Sequence, residues 1–225
     1  MKKTFKDFLK EENIPTYTGS ITVPKDWIDL SGLPQKYPGY TPGCKVSGNF
    51  YCYSCPNLKS LEGAPSSVGG SFNCSNCTSL TSLERAPSSV GGDFYCYDCT
   101  SLKSLKGAPS SVGGDFDCSY CPSLTSLKSA PSSVGGSFDC HKCTSITSLE
   151  GIGEHYILSA TEFIANNTPI SSHILGLLKV KNLKLAELEN KEVEKIINAH
   201  LKGNRNIWKC QDELQDLDLD EYAQL

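Results

Sequence analysis

The chain has 225 residues, 38% hydrophobic and 20% charged, which suits one folded domain with a small appendage and excludes a disordered chain. Twenty-one Lys and Arg against twenty-five Asp and Glu give a net charge of −4, a field that does not attract phosphate backbones or anionic lipid. The start, MKKTFKDFLKEE, has no apolar run behind its lysines, and no later segment approaches ~18 consecutive apolar residues, so neither an ordinary export signal nor a membrane span is expected.

Residues 4–13 place Phe5, Phe8 and Leu9 on one helical face, and the Pro- and Tyr-rich stretch from Tyr17 to Gly43 reads as irregular. Residues 1–43 together predict an N-terminal cap. Beyond it the cysteines fall into register: Cys52/Cys55, Cys74/Cys77, Cys96/Cys99, Cys118/Cys121 and Cys140/Cys143 are five CxxC pairs, each 22 residues after the last, and of twelve cysteines only Cys44 and Cys210 lie outside. The unit reads GGxFxCxxCxSLxSLxxAPSSV. A fixed period of this length marks a solenoid, whose units are too small to bury an apolar face except against copies of themselves.

Within one unit Phe116 and Cys118 are two apart, so a strand turns both inward and Asp117 and Ser119 outward. Cys121, Leu124, Leu127 and Val134 are further anchors around a coil turned by Pro131 and by Gly135-Gly136, read as residues of fixed or positive φ. The phase follows the leucine-rich-repeat pattern LxLxxN/CxL, with Leu124 one residue late. The expectation is an α/β repeat solenoid: a short, leucine-rich-repeat-like, right-handed parallel β stack of about six turns over residues 44–188, with a helical C-terminal cap. Its last turn is degenerate, with Ile164, Asn167 and Ile170 read at the places of Cys118, Cys121 and Leu124, and Ile174 to Leu188 supplies an edge strand.

In the cap, residues 189–225, Asn190 starts a helix through Val193, Ile196, Ile197 and Leu201 that ends at Gly203. A second helix from about Ile207 carries Trp208, Leu214, Leu217, Leu219 and Tyr222. The acidic run Asp212, Glu213, Asp216, Asp218, Asp220, Glu221 then reads as the solvated face of a docked helix rather than a mimic of nucleic acid.

The spacing between Cys52/Cys55 and Cys74/Cys77 also fits a four-thiolate zinc site, so a zinc-binding repeat is an alternative. Against it stand the odd number of pairs, their constant phase in an apolar repeat, and the Phe two residues before each first Cys. Ladders of reduced, buried thiols without a cofactor are the preferred reading.

Core positions repeat almost unchanged, so information for a partner belongs to the outward positions that vary. These are Tyr51/Tyr53, Asn73/Ser75, Tyr95/Tyr97, Asp117/Ser119 and Asp139/His141, with Tyr120 and Lys142. Tyrosine gives large, rigid, amphipathic contact area, so Tyr51, Tyr53, Tyr95, Tyr97, Asp117, Tyr120, Asp139 and His141 are the candidate partner-binding residues. His141 beside Asp139 and Asp117 is the only enzyme-like grouping; without a nucleophile or a pocket it predicts no enzyme. Lys59, Lys103, Lys106 and Lys128 share a corner with Glu62, Glu84 and Glu150, a mixture that disfavours nucleic acid.

The repeats SLEGAPSSVGGSFNCSNCTSL (60–80) and their copies, together with the terminal ENKEVEKIINAHLKGNRNIWKCQDELQDLDLDEYAQL (189–225), resemble a family of tailed-bacteriophage leucine-rich-repeat proteins. The resemblance runs from roughly Leu30 to the end, and departs where that family often has Asn at the place of Cys121. It implies a virus-encoded accessory protein of the host cytoplasm, with no catalytic residues to carry over. The expected function is therefore non-enzymatic binding of a host defence or regulatory protein, with a structural or assembly role in the virion as the alternative.

Overall fold

A unit with one Phe and two Cys facing inward has no partner for them except the next unit, and it stacks. The computed structural model describes residues 14–147, 149, 160–170, 174–179, 184–186, 188, 190–203 and 205–223. The chain winds as a parallel β-solenoid of about five regular turns with helices at its C-terminus. The helix expected over residues 4–13 lies outside the described residues.

Each turn contributes two short strands, where the sequence pattern announces one. Thr16–Tyr17, Lys45–Val46, Ser67–Val68, Ser89–Val90, Ser111–Val112 and Ser133–Val134 form a six-stranded sheet. Ile21–Thr22, Phe50–Tyr51, Phe72–Asn73, Phe94–Tyr95, Phe116–Asp117, Ser137–Asp139, Glu162–Ile164 and Lys184–Ala186 form an eight-stranded one. Val134, read as an anchor in a coil, is thus a strand residue. The register is one unit per step, so Phe50, Phe72, Phe94, Phe116, Phe138 and Phe163 stack at centroid distances of 5.1–5.5 Å, all fully buried. Each such ring contributes about 1.5–3 kcal/mol by leaving water, and a slip by one residue would turn the whole column outward.

Gly135-Gly136 is not the positive-φ turn expected of it. A Cβ on Gly91, Gly113 or Gly135 would strike the carbonyl oxygen of Gly69, Gly91 or Gly113, one turn back. A Cβ on Gly70, Gly92, Gly114 or Gly136 would strike Asn49 Oδ1, Ser71 Oγ, Asp93 Oδ1 or Asp115 Oδ1. Those side chains form a second ladder: Asn49 Oδ1 accepts from Ser71 N (2.8 Å), Ser71 Oγ from Asp93 N (3.1 Å), Asp93 Oδ1 from Asp115 N (3.0 Å) and Asp115 Oδ1 from Ser137 N (2.7 Å). Both glycines are therefore set by close approach between turns. The left-handed backbone falls instead at two other places in the unit: inside the CxxC turn, at Ser54, Asn76, Asp98, Tyr120 and Lys142, with φ of 53–58°, and just before Ala-Pro, at Gly63, Arg85, Gly107 and Ser129, with φ of 70–90°.

The degenerate turn is shifted by one residue from its expected alignment. Phe163 pairs with Phe138 and Ile164 with Asp139, so Ala165 and Thr168, both buried, hold the places of the two cysteines. Ile164 and Asn167 face outward positions, and Asn167 takes the left-handed φ of 53° that Tyr120 and Lys142 have in theirs. Twenty-five residues separate Phe138 from Phe163, against 22 between the regular turns.

Both edges of the eight-stranded sheet are closed by a side chain. The Tyr37 hydroxyl accepts from Thr22 N (2.9 Å) and donates to Thr22 O (2.6 Å). At the other end Asn198 Oδ1 accepts from Leu185 N (2.9 Å) and Asn198 Nδ2 donates to Leu185 O (2.6 Å). Asn198 sits on the helix Lys191–Lys202, whose Asn190 cap accepts from Glu192 N and Val193 N and whose buried face is Val193, Ile196, Ile197 and Leu201, as the sequence predicts. The following helix, Ile207–Gln215, buries Cys210 and Leu214, while Trp208 and Leu217, expected to dock, are 66% and 49% exposed. No described helix is long and apolar enough to cross a membrane.

Candidate protein-binding face

Because Phe94 and Cys96 point inward, Tyr95 and Tyr97 point out, and the parallel register copies that geometry from turn to turn. Tyr51, Asn73, Tyr95, Asp117 and Asp139 are successive Cα partners and form one file. Tyr53, Ser75, Tyr97, Ser119 and His141 form a second, two residues on. Rungs are ~4.8 Å apart, so the two tyrosine pairs, two rungs apart, flank Asn73 and Ser75.

Within each pair the rings meet edge to face: Tyr51–Tyr53 at 6.2 Å and Tyr95–Tyr97 at 6.3 Å. Tyr53 and Tyr120 are exposed, whereas Tyr51, Tyr95 and Tyr97 are half-buried. Ser75 and Ser119, read from the sequence as outward contact positions, are buried at 0% and 2% exposure. Small side chains between tall neighbours are covered by them. Among the described residues the Ser75 hydroxyl has no hydrogen-bond partner.

The other half of the face is acidic. Asp139 Oδ1 lies 2.8 Å from His141 Nδ1 and also accepts from His141 N at 2.9 Å. Tyr120 packs edge-on against His141 at 4.7 Å, and Lys142 Nζ lies over the Tyr120 ring at 4.5 Å while donating to its hydroxyl at 3.0 Å. Asp117 Oδ1 accepts from Ser119 N at 2.9 Å; burial raises its carboxyl above the usual range. Tyr95 is pushed up to about 12 by burial, then by its hydrogen bond with Asp93 and by the charges of Asp115 and Asp117. The structure therefore brings Asp117, Asp139, His141 and Tyr120 into one patch beside Tyr95 and Tyr97, with Tyr51 and Tyr53 two turns away. The described grooves lie elsewhere; one of about 510 Å³ follows the six-stranded sheet past Ser67, Ser89 and Ser111.

All twelve cysteines are buried and unpaired. Among the described residues no three His, Cys, Asp or Glu side chains are grouped to hold a metal. The second thiol of four of the five pairs is committed otherwise: Cys77, Cys99, Cys121 and Cys143 donate to the carbonyls of Cys52, Cys74, Cys96 and Cys118 one turn back, at 3.0–3.3 Å. Thr168 repeats this with its hydroxyl, which donates to Cys140 O at 2.6 Å. Burial raises the Cys52, Cys96, Cys118, Cys121 and Cys140 thiols, which keeps them protonated. Cys55 moves down instead, chiefly through the Cys77 thiol beside it, with Lys25 near. This donor role goes beyond the small-hydrophobe reading, and Thr168 is the residue that reveals it.

At the mixed corner, Arg85 pairs with Glu62 at 3.1 Å and Lys106 with Glu84 at 2.6 Å, each base on an acid of the preceding turn. Comparison with protein-family models, with curated proteins and with solved structures gives no match.

Proposed function

We propose that this chain is a non-enzymatic binding protein whose eight-stranded sheet presents Tyr51, Tyr53, Tyr95, Tyr97, Asp117, Tyr120, Asp139 and His141 to a protein partner. The observation that carries this reading is the register: two edge-to-face tyrosine pairs fixed on a rigid parallel ladder beside a carboxylate patch. Rigid aromatic anchors lose little entropy on binding. Read with the resemblance of its repeats and tail, the chain is a phage accessory protein that acts in the host cytoplasm by occupying and inhibiting, or redirecting, a host defence or regulatory protein.

Affinity capture from host lysate with wild type and a Tyr95→Ala/Tyr97→Ala variant tests this. One host protein retained by wild type and lost with the variant is the expected result. Virion proteins in its place would favour an assembly role, and a partner held undiminished by the variant would remove the tyrosine face from the account.

A further inference from the structure

The carboxylates of the face converge on one ring. Tyr95 has Asp93 two residues before it, Asp117 as its Cα partner on the next strand and Asp115 diagonally opposite. The basic side chains nearby are engaged at its margins: His141 on Asp139, Lys142 on Tyr120, and Lys25 over Tyr53 at 5.6 Å. Asp117 is half-buried and, among the described residues, has no ion-pair contact of its own; burial raises its carboxyl. An aromatic corner bordered by carboxylates that, among the described residues, have no ion-pair partner attracts a cation. The chain demonstrates the ring chemistry itself, since Lys142 already seats on Tyr120.

Resting on the reading of this face as a protein-binding surface, we propose that the Tyr95 patch recognises an arginine in a basic segment of the partner, its guanidinium stacked on the Tyr95 ring and paired with Asp117. Arginine fits better than lysine, because a planar and weakly hydrated guanidinium stacks on a ring and pairs with a carboxylate at once, whereas an ammonium is compact and strongly hydrated.

Fluorescence anisotropy with labelled hexa-arginine at physiological salt is the test, with hexa-lysine as the comparison. Wild type is expected to prefer hexa-arginine, and Tyr95→Leu and Asp117→Asn should each weaken it by about tenfold. Tyr95→Phe keeps the ring and should keep the binding, which separates loss of contact from loss of fold. Asp117→Asn keeps the turn bond, since Asn73 Oδ1 accepts from Ser75 N at 2.9 Å in the same way. The tail variant Asp216→Asn should leave affinity within about twofold, as removal of one distant screened charge does. Equal losses in Asp117→Asn and Asp216→Asn, or full binding in Tyr95→Leu, would reduce the effect to net charge and overturn the proposal. If hexa-arginine fails to bind while the tyrosine-dependent partner is still captured, the arginine assignment falls and the binding face stands.

Discussion

A methyl group at Gly113 would strike the Gly91 carbonyl oxygen, so Gly113→Ala is expected to cost about 2–3 kcal/mol in chemical unfolding, as overpacking against backbone does. The two cysteines of one turn should differ. Cys118 donates its thiol to Asp139 O, which already accepts from Cys118 N, so Cys118→Ala loses mainly packing, about 1–2 kcal/mol. Cys121→Ala also removes the donor to the buried Cys96 carbonyl and should cost about 2–3 kcal/mol, with Cys121→Ser recovering part of it. Equal losses at the two positions would contradict the donor role. Asp117 carries a folded-state pKa above its unfolded one, so its ionised form opposes folding at neutral pH and the penalty disappears as pH falls through the folded pKa. Asp117→Asn should therefore raise the midpoint of unfolding at pH 7 and leave it unchanged in acid.

The edges of the eight-stranded sheet are the elements most exposed to error, and each is closed by one polar side chain. Asn198→Leu would free Leu185 N and O on the strand Lys184–Ala186. It is expected to lower stability by about 1–3 kcal/mol and to produce concentration-dependent association in sedimentation velocity, because an open edge recruits another chain. A monomeric Asn198→Leu variant would show that other groups cover that edge. Neither Tyr37 nor Asn198 is recognisable in the sequence, since each acts on a strand 13–15 residues away through a contact that no spacing announces. The inward Phe and Cys columns and the Asn190-capped helix are legible because period and cap are local signals. The Ser133–Val134 strand is not, because two residues with one side chain inward have no alternation to read. The alignment at Phe163 slips by one for a related reason: three extra residues interrupt the period just where Cys gives way to Ala165 and Thr168.

On the scale of the whole molecule, a regular core holds the variable outward files at fixed spacing, and the tyrosine and aspartate positions are legible from the sequence as far as facing goes. Their depth is not: Ser75 and Ser119 disappear beneath neighbouring rings, which only the stack decides. The tail offers the rival surface, where Trp208 is exposed. Site-specific photocrosslinking in host cells distinguishes the two directly. With p-benzoylphenylalanine placed at Tyr97 in one protein and at Trp208 in another, the account predicts a discrete adduct with a host protein from position 97 and none from position 208. Adducts from position 208 alone would contradict it.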